Sequence, residues 1–243
     1  MTIRPVTDLR ELGKCVEIQR EAWGLAELEV IPVRMLVTQI RVGGLVLGAF
    51  EEGQLVGFLN AMPGIRDGTP YWYSQMLAVK LPYRNRGIGS NLKLAQRDHA
   101  HQRGIHLIEW TFDPLESKNA YLNIAKLGVI VRRYYVNLYG ATASQLQQGL
   151  ESDRVIAEWW IDSPQRPDGV PSRGDDIRRV YIPADIQSLK KQSPKSAEEV
   201  QIRVREEFLK NFQDDYFVCG FKYGEESSEY LFTSGASRVH QRN

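Results

Sequence analysis

The residues of this chain that could do chemistry gather between Leu77 and Ser90, where the sequence reads Leu-Ala-Val-Lys-Leu-Pro-Tyr-Arg-Asn-Arg-Gly-Ile-Gly-Ser. A strand-like run passes through a glycine-containing turn and enters a stretch of helix formers. The first peptide N–H groups of a helix have no partner within it, and with the helix dipole they make a seat for an anion such as phosphate. Gly87 and Gly89 remove side chains that would block the approach and can take positive φ, while Arg84 and Arg86 bring fixed positive charge. Spacing separates three phosphate-binding readings. A Walker loop needs Lys and Ser or Thr directly after its last glycine, whereas Gly89 is followed by Ser90 and Asn91, and Lys93 comes too late. A dinucleotide fingerprint needs a small residue where Leu92 stands, and it should follow the first strand of a βαβ unit. What remains is the pattern Arg84-x-x-Gly87-x-Gly89.

The elements that must position this turn follow from periodicity. Thr2 to Val6 reads as a strand, and Asp8 can cap a helix reaching Trp23 with Leu9, Leu12, Val16 and Ile18 as its apolar positions. A second helix follows Pro32. Leu45–Phe50, Leu55–Met62 and Tyr71–Val79 read as an antiparallel meander, the first pair joined at Glu51-Glu52-Gly53-Gln54. After the turn come a helix over Asn91–Gln102, a strand over Ile105–Phe112, a helix over Ser117–Leu127 ending at Gly128, and a strand over Val155–Ile161. Ser163–Asp176, rich in Pro, Gly and Asp, is the expected boundary, giving a domain over 1–163 and an α/β extension over 164–243 that packs on or completes it. Within the extension Val180–Ile182 reads as a strand, Ala197–Phe212 as an amphipathic helix, and Tyr216–Phe221 with Tyr230–Phe232 as a closing strand pair.

Arg84, Gly87 and Gly89 match the motif Gln/Arg-x-x-Gly-x-Gly/Ala of the GNAT superfamily of N-acetyltransferases, and the chain resembles that family over about Thr2 to Ile161. The order of elements agrees, and Lys126-Leu127-Gly128 falls where the family's Lys-x-Gly helix ending belongs. The resemblance implies an α/β (α+β) GNAT fold, a central mixed and mostly antiparallel sheet flanked by helices. It implies acetyl-CoA or another acyl-CoA as cofactor, with the pyrophosphate on the amides of Arg84, Asn85, Arg86, Gly87, Ile88, Gly89 and Ser90. The pantetheine pairs like an added strand with Leu77, Ala78 and Val79. Asn119, by the same resemblance, contacts the pantetheine arm or the 3′-phosphate region, or else caps its helix.

The implied reaction is transfer of an acetyl or other acyl group to a primary amine of a small molecule or amino acid, by direct attack on the thioester. The amine must lose a proton first and the thiolate gains one, so an acid and a base are required. Many members place a tyrosine four residues before the Gly of Lys-x-Gly, but that position here is Ile124; Tyr121, one turn earlier, is the candidate acid, with Tyr134, Tyr135 and Tyr139 behind it. The strand before the turn offers Gln75 in place of a carboxylate, so the candidate base is Glu109 on the next strand, with Asp113 behind it. The alternative is a non-catalytic acyl-CoA-binding module whose C-terminal segment engages a partner.

Composition narrows the rest. Lys and Arg number 31 against 30 Asp and Glu, a net charge of +1, so no overall field recruits nucleic acid or an anionic membrane. No apolar run approaches the length of a membrane span, and Cys15 and Cys219 stand far apart; the expectation is a reduced, cytoplasmic protein. His99, His101 and His106 cluster without a carboxylate pattern that completes a zinc site, so no metal is assigned. A homodimer is left open, with a small-molecule amine as the expected partner.

Overall fold

A computed structural model describes residues 1–140, 149–162 and 176–234. These fall into two compact units, Met1–Trp110 with Trp160–Asp162, and a second formed by 111–140, 149–159 and 176–234. The expected boundary over Ser163–Asp176 lies, apart from Asp176, outside the described residues.

The first unit opens with β1 (Thr2–Pro5), α1 (Leu9–Trp23) and α2 (Val33–Arg41). Asp8 caps α1 by accepting from the amides of Arg10 and Glu11, and Gly24 closes it in the left-handed conformation. There follow β2 (Leu45–Glu51), β3 (Gln54–Arg66), β4 (Thr69–Val79), α3 (Ile88–His101) and β5 (Leu107–Phe112). The sheet runs β1-β2-β3-β4-β5, antiparallel through β4 and parallel between β4 and β5. The hairpin between β2 and β3 turns at Glu52 and Gly53, both at positive φ, as the sequence predicts.

Nearly every residue of β2 and the first half of β3 is buried, the signature of a sheet covered on both faces. On one face Leu12, Cys15, Val16 and Ile18 of α1 and Leu36 of α2 close over Val46, Phe58 and Ala78. On the other lies α3, whose Ile88 and Leu92 are buried. The site is therefore held by strands fixed from above and below.

In the second unit, α4 (Ser117–Ala120) passes into a π-helical segment over Tyr121–Lys126, followed by β6 (Ile130–Tyr135), β7 (Arg154–Trp160), β8 (Ile177–Pro183), α5 (Ile186–Gln192), α6 (Pro194–Gln213), β9 (Tyr216–Lys222) and β10 (Ser227–Ser234). The strand order is β7-β6-β9-β10-β8, antiparallel at β6 with β7, β6 with β9, β9 with β10 and β10 with β8. Phe208 of α6 anchors it, with ring centroids of Tyr230 and Phe232 at 4.9 and 5.0 Å in edge-on geometry. The sequence predicts α6 and the closing strands; α5 is additional, capped by Asp185 accepting from the Ser188 amide. The helix expected over Ser117–Leu127 is α-helical only in its first turn, because Leu127 donates to the Leu122 carbonyl five residues back.

Candidate active site

The turn between β4 and α3 takes the shape its glycines require. Leu81–Tyr83 form a short 3-10 turn, Asn85 has φ +62° and Gly87 φ +76°. Left-handed Gly87 followed by right-handed Ile88 at the start of α3 is the backbone pair that turns successive N–H groups toward one anion. Gly87 is the N-cap of α3 and offers no side chain, so no side chain occupies the N–H groups of the first helical turn. A Cβ at Gly87 would meet nothing within 4 Å, so conformation and not space demands glycine there, whereas a Cβ at Gly89 would meet Leu77 Cδ2 at 3.3 Å.

The two arginines differ from their expected role as loose positive charge. Arg84 Nε donates to the Val79 carbonyl at 3.0 Å and its Nη2 to the Ala22 carbonyl at 3.3 Å, so it braces the turn against the end of β4 and the last turn of α1. Arg86 makes a two-point ion pair with Glu51 at 2.7 and 3.1 Å. Arg84, Asn85, Arg86 and Gly87 remain exposed, Ile88 is buried, and Gly89 and Ser90 are half-buried.

Strand β4 carries one more residue than its partner. Asn60 of β3 faces Met76 and Ala61 faces Ser74, so Gln75 is the inserted residue of a bulge. Before it, Trp72 and Tyr73 pair with Ile108 and Glu109 of β5. After it, Leu77, Ala78 and Val79 pair with Leu59, Phe58 and Gly57 of β3, and among the described residues β5 makes no pairing with them. Among the described residues their outer main-chain edge is thus available to an extended ligand, and Leu77 lies beside Gly89 in the uncapped first turn of α3.

Side chains pin the bulge on both faces. On the α3 face, Lys93 Nζ donates to Ser74 Oγ at 2.9 Å and lies 3.4 Å from the centroid of the Trp110 ring. Lys93 is only 4% exposed, and burial holds its amine well below the usual lysine range. On the α1/α2 face, Gln39, Asn60 and Gln75 close a ring of amide hydrogen bonds at 2.7, 2.8 and 3.0 Å. Sequence reasoning missed both clusters. A signal for the first existed: Gly89, Lys93, Gln96 and Ala100 recur at helical spacing along the stripe of α3 that faces the sheet.

Of the acid and base candidates, Glu109 is buried, with both carboxylate oxygens accepting from the guanidinium of Arg66 at the end of β3. That clamp engages one lone pair on each oxygen and holds the carboxylate against the end of β3. Asp113 caps its own turn by accepting from the Leu115 amide and faces Lys190 Nζ and Arg154 Nη1, each at 3.9 Å. Tyr121 begins the π-helical segment, half-buried, its ring 5.8 Å from that of Tyr223. Ile124 is fully buried, and the wider π winding takes residues three apart out of line, so Tyr121 does not share the surroundings of Ile124 as a regular helix would predict. Asn119 is exposed and accepts from the Asn123 amide at 3.1 Å; Glu116, not Asn119, is the N-cap residue of α4. Tyr134 donates to Asp153 at 2.6 Å, and Tyr139 shares a 2.8 Å hydrogen bond with Thr111. His101 and His106 both reach Asp162, and among the described residues no group of three His, Cys, Asp or Glu side chains is arranged to hold a metal ion.

The model of the acetyltransferase (GNAT) family matches residues 14–126. Residues 14–126 are a GNAT acetyltransferase domain. Among solved structures, an aminoglycoside 6′-acetyltransferase type Ii is 20% identical with a TM-score of 0.53, covering 68% of this chain and 99% of that one. A ribosomal-protein-alanine N-acetyltransferase from Brucella melitensis is 20% identical with a TM-score of 0.54, covering 65% and 98%. An aminoglycoside 6′-N-acetyltransferase complexed with coenzyme A is 17% identical with a TM-score of 0.52, covering 68% and 99%. At these identities the likeness is one of fold. No curated protein matches the sequence.

The GNAT acetyltransferase domain over residues 14–126 supports acyl-CoA-dependent N-acetyl transfer, with acetyl-CoA as the family's cofactor. The fit to that cofactor rests on left-handed Gly87, the start of α3 without a side-chain cap, and the β4 edge that no described residue pairs after Tyr73. No helix among the described residues is long and apolar enough to cross a membrane.

Proposed function

We propose that the chain acylates the primary amine of a small molecule or amino acid, holding the cofactor along Leu77–Val79 and the turn Arg84–Ser90. The observation that carries this reading is that the β4 edge over Leu77–Val79, on which no described residue pairs opposite β3, lies beside the uncapped start of α3, where a Cβ at Gly89 would meet Leu77 Cδ2 at 3.3 Å. When bound, acetyl-CoA supplies the activated thioester. The chain's own contribution is positional. The turn amides suit the pyrophosphate, Arg84 keeps the turn at the end of β4, and the β4 main chain suits an extended amide-bearing arm.

The acceptor nitrogen is neutral when it attacks, so its proton must leave. Because Arg66 occupies both oxygens of Glu109, we read Glu109 as fixing β3 to β5, and assign proton removal to solvent at the exposed edge beside Gln75. Tyr121, whose hydroxyl has no hydrogen-bond partner among the described residues, is proposed as the proton donor to the departing thiolate; Asn119, with its exposed amide, is proposed as a further cofactor contact. The near balance of charge and the absence of a basic or acidic tract support a small acceptor over a macromolecular one. The test is release of free CoA thiol from acetyl-CoA across a panel of amino acids, aminoglycosides, polyamines and peptides. Turnover with the small amines supports the reading, and turnover confined to peptides overturns it.

A further inference from the structure

The amide of Gln75 is held in one orientation. Gln39 Nε2 donates to Gln75 Oε1 at 2.7 Å and Asn60 Nδ2 donates to the same oxygen at 3.0 Å, while Asn60 Nδ2 also donates to Gln39 Oε1 at 2.8 Å. Gln39 and Asn60 are buried, and Gln75 is exposed. Turning Gln75 alone would set its NH2 against two donors. Reversing the whole ring would replace the one orphaned group, Asn60 Oδ1, by an orphaned NH2 in the same buried place, and a buried donor without a partner is the costlier of the two. The ring therefore fixes Oε1 inward and Nε2 outward. Two donors on Oε1 polarise the amide, and Nε2 has no acceptor among the described residues.

That outward NH2 sits at the bulge, where β4 leaves β5. Two residues earlier Tyr73 pairs with Glu109, so the carboxylate next in register is already neutralised by Arg66. A donor thus faces outward where a cationic acceptor would need an uncompensated carboxylate. We propose that Gln75 Nε2 binds a carboxylate oxygen carried next to the reacting amine, so that the acceptor is an α-amino acid and not a polyamine or another carboxylate-free amine. The inference rests on the acyl-transfer reading above and names its substrate class.

Gln75→Glu keeps an inward oxygen for both donors and converts the outward NH2 into a second oxygen, with almost no change of shape. Gln75→Met keeps the length and removes the donor. Both variants, with wild type, are assayed with amino acids and their decarboxylated amines at saturating acetyl-CoA, with circular dichroism and the KM for acetyl-CoA confirming fold and cofactor site. The wild type is expected to favour the amino acid in kcat/KM by about tenfold or more, the range of a hydrogen bond to a charged group. Gln75→Met removes that preference and Gln75→Glu reverses it. Equal use of both series by the wild type, or a ratio unmoved in both variants, overturns the inference while leaving acyl transfer to small amines standing. Turnover of neither series overturns both.

Discussion

Lys93 Nζ donates to Ser74 Oγ across 2.9 Å of interior, with no carboxylate among the described residues within ion-pair distance of the amine. Water is excluded, and the Trp110 face 3.4 Å away offers only partial compensation for charge. The contact joins the helix after the glycine turn to the strand before it, one residue ahead of the bulge.

Burial lowers the Lys93 amine, so the folded chain holds it neutral where the unfolded chain still binds a proton. The unfolded state binds more protons in that window, and stability therefore rises with pH until the ordinary lysine value of about 10.4 is passed. Lys93→Met removes this slope, which is at most about 1.4 kcal/mol per pH unit. Denaturant titrations of both proteins at several pH values from neutral to alkaline should converge as pH rises. Parallel curves would show that the amine is charged in the fold.

Gly87→Trp with Gly89→Trp places side chains over the open helix start and, at Gly89, against Leu77. Left-handed backbone at Gly87 adds about 1 kcal/mol of strain, which the domain should tolerate. Calorimetric titration is expected to show CoA and acetyl-CoA binding by wild type and at least about a hundredfold loss in the folded double variant. Equal binding by both proteins would remove the cofactor from this turn.

Arg66→Met leaves a carboxylate 2% exposed without its clamp, whereas Glu109→Gln keeps one acceptor oxygen for the guanidinium and removes the buried negative charge. With Arg66 itself partly exposed, the first change should cost about 1–3 kcal/mol and the second less. In Glu109→Gln, kcat should stay within about threefold of wild type with the same pH profile; a fall near the 10²-fold typical of a lost general base would return Glu109 to that role.

Tyr121→Phe keeps the ring beside Tyr223 and removes only the hydroxyl. The melting temperature should not move, while kcat falls by about ten- to a hundredfold and acetyl-CoA KM is unchanged. If kcat also holds, the residue is packing alone.

The meander, the turn and the helices around it were legible because each carries a local signature: alternating apolar residues, a two-glycine turn, an Asp8 cap. The bulge was not, since Gln75 differs from its neighbours in no property that periodicity detects and becomes extra only against the length of β3. Nor was the clamp on Glu109, because Arg66 stands 43 residues away and meets it only through the sheet. The π winding after Ala120 was likewise hidden, a choice of hydrogen-bond partner that Tyr121–Lys126 do not announce by type. The helix face of Lys93 could have been read from its spacing, but its want of a counter-charge could not.

Gln75 has one more effect, independent of anything its side chain binds. Ser74 meets α3, Gln75 and Met76 both turn toward α1 and α2, and Leu77 returns to α3. The insertion works as a half-step in phase: without it Leu77 would point away from Gly89, and Ala78 would leave the core it now completes. From Ser74 to Arg84 the count of residues is therefore as strict a requirement as their identity, and a chain one residue shorter there would carry the same motif facing the wrong way.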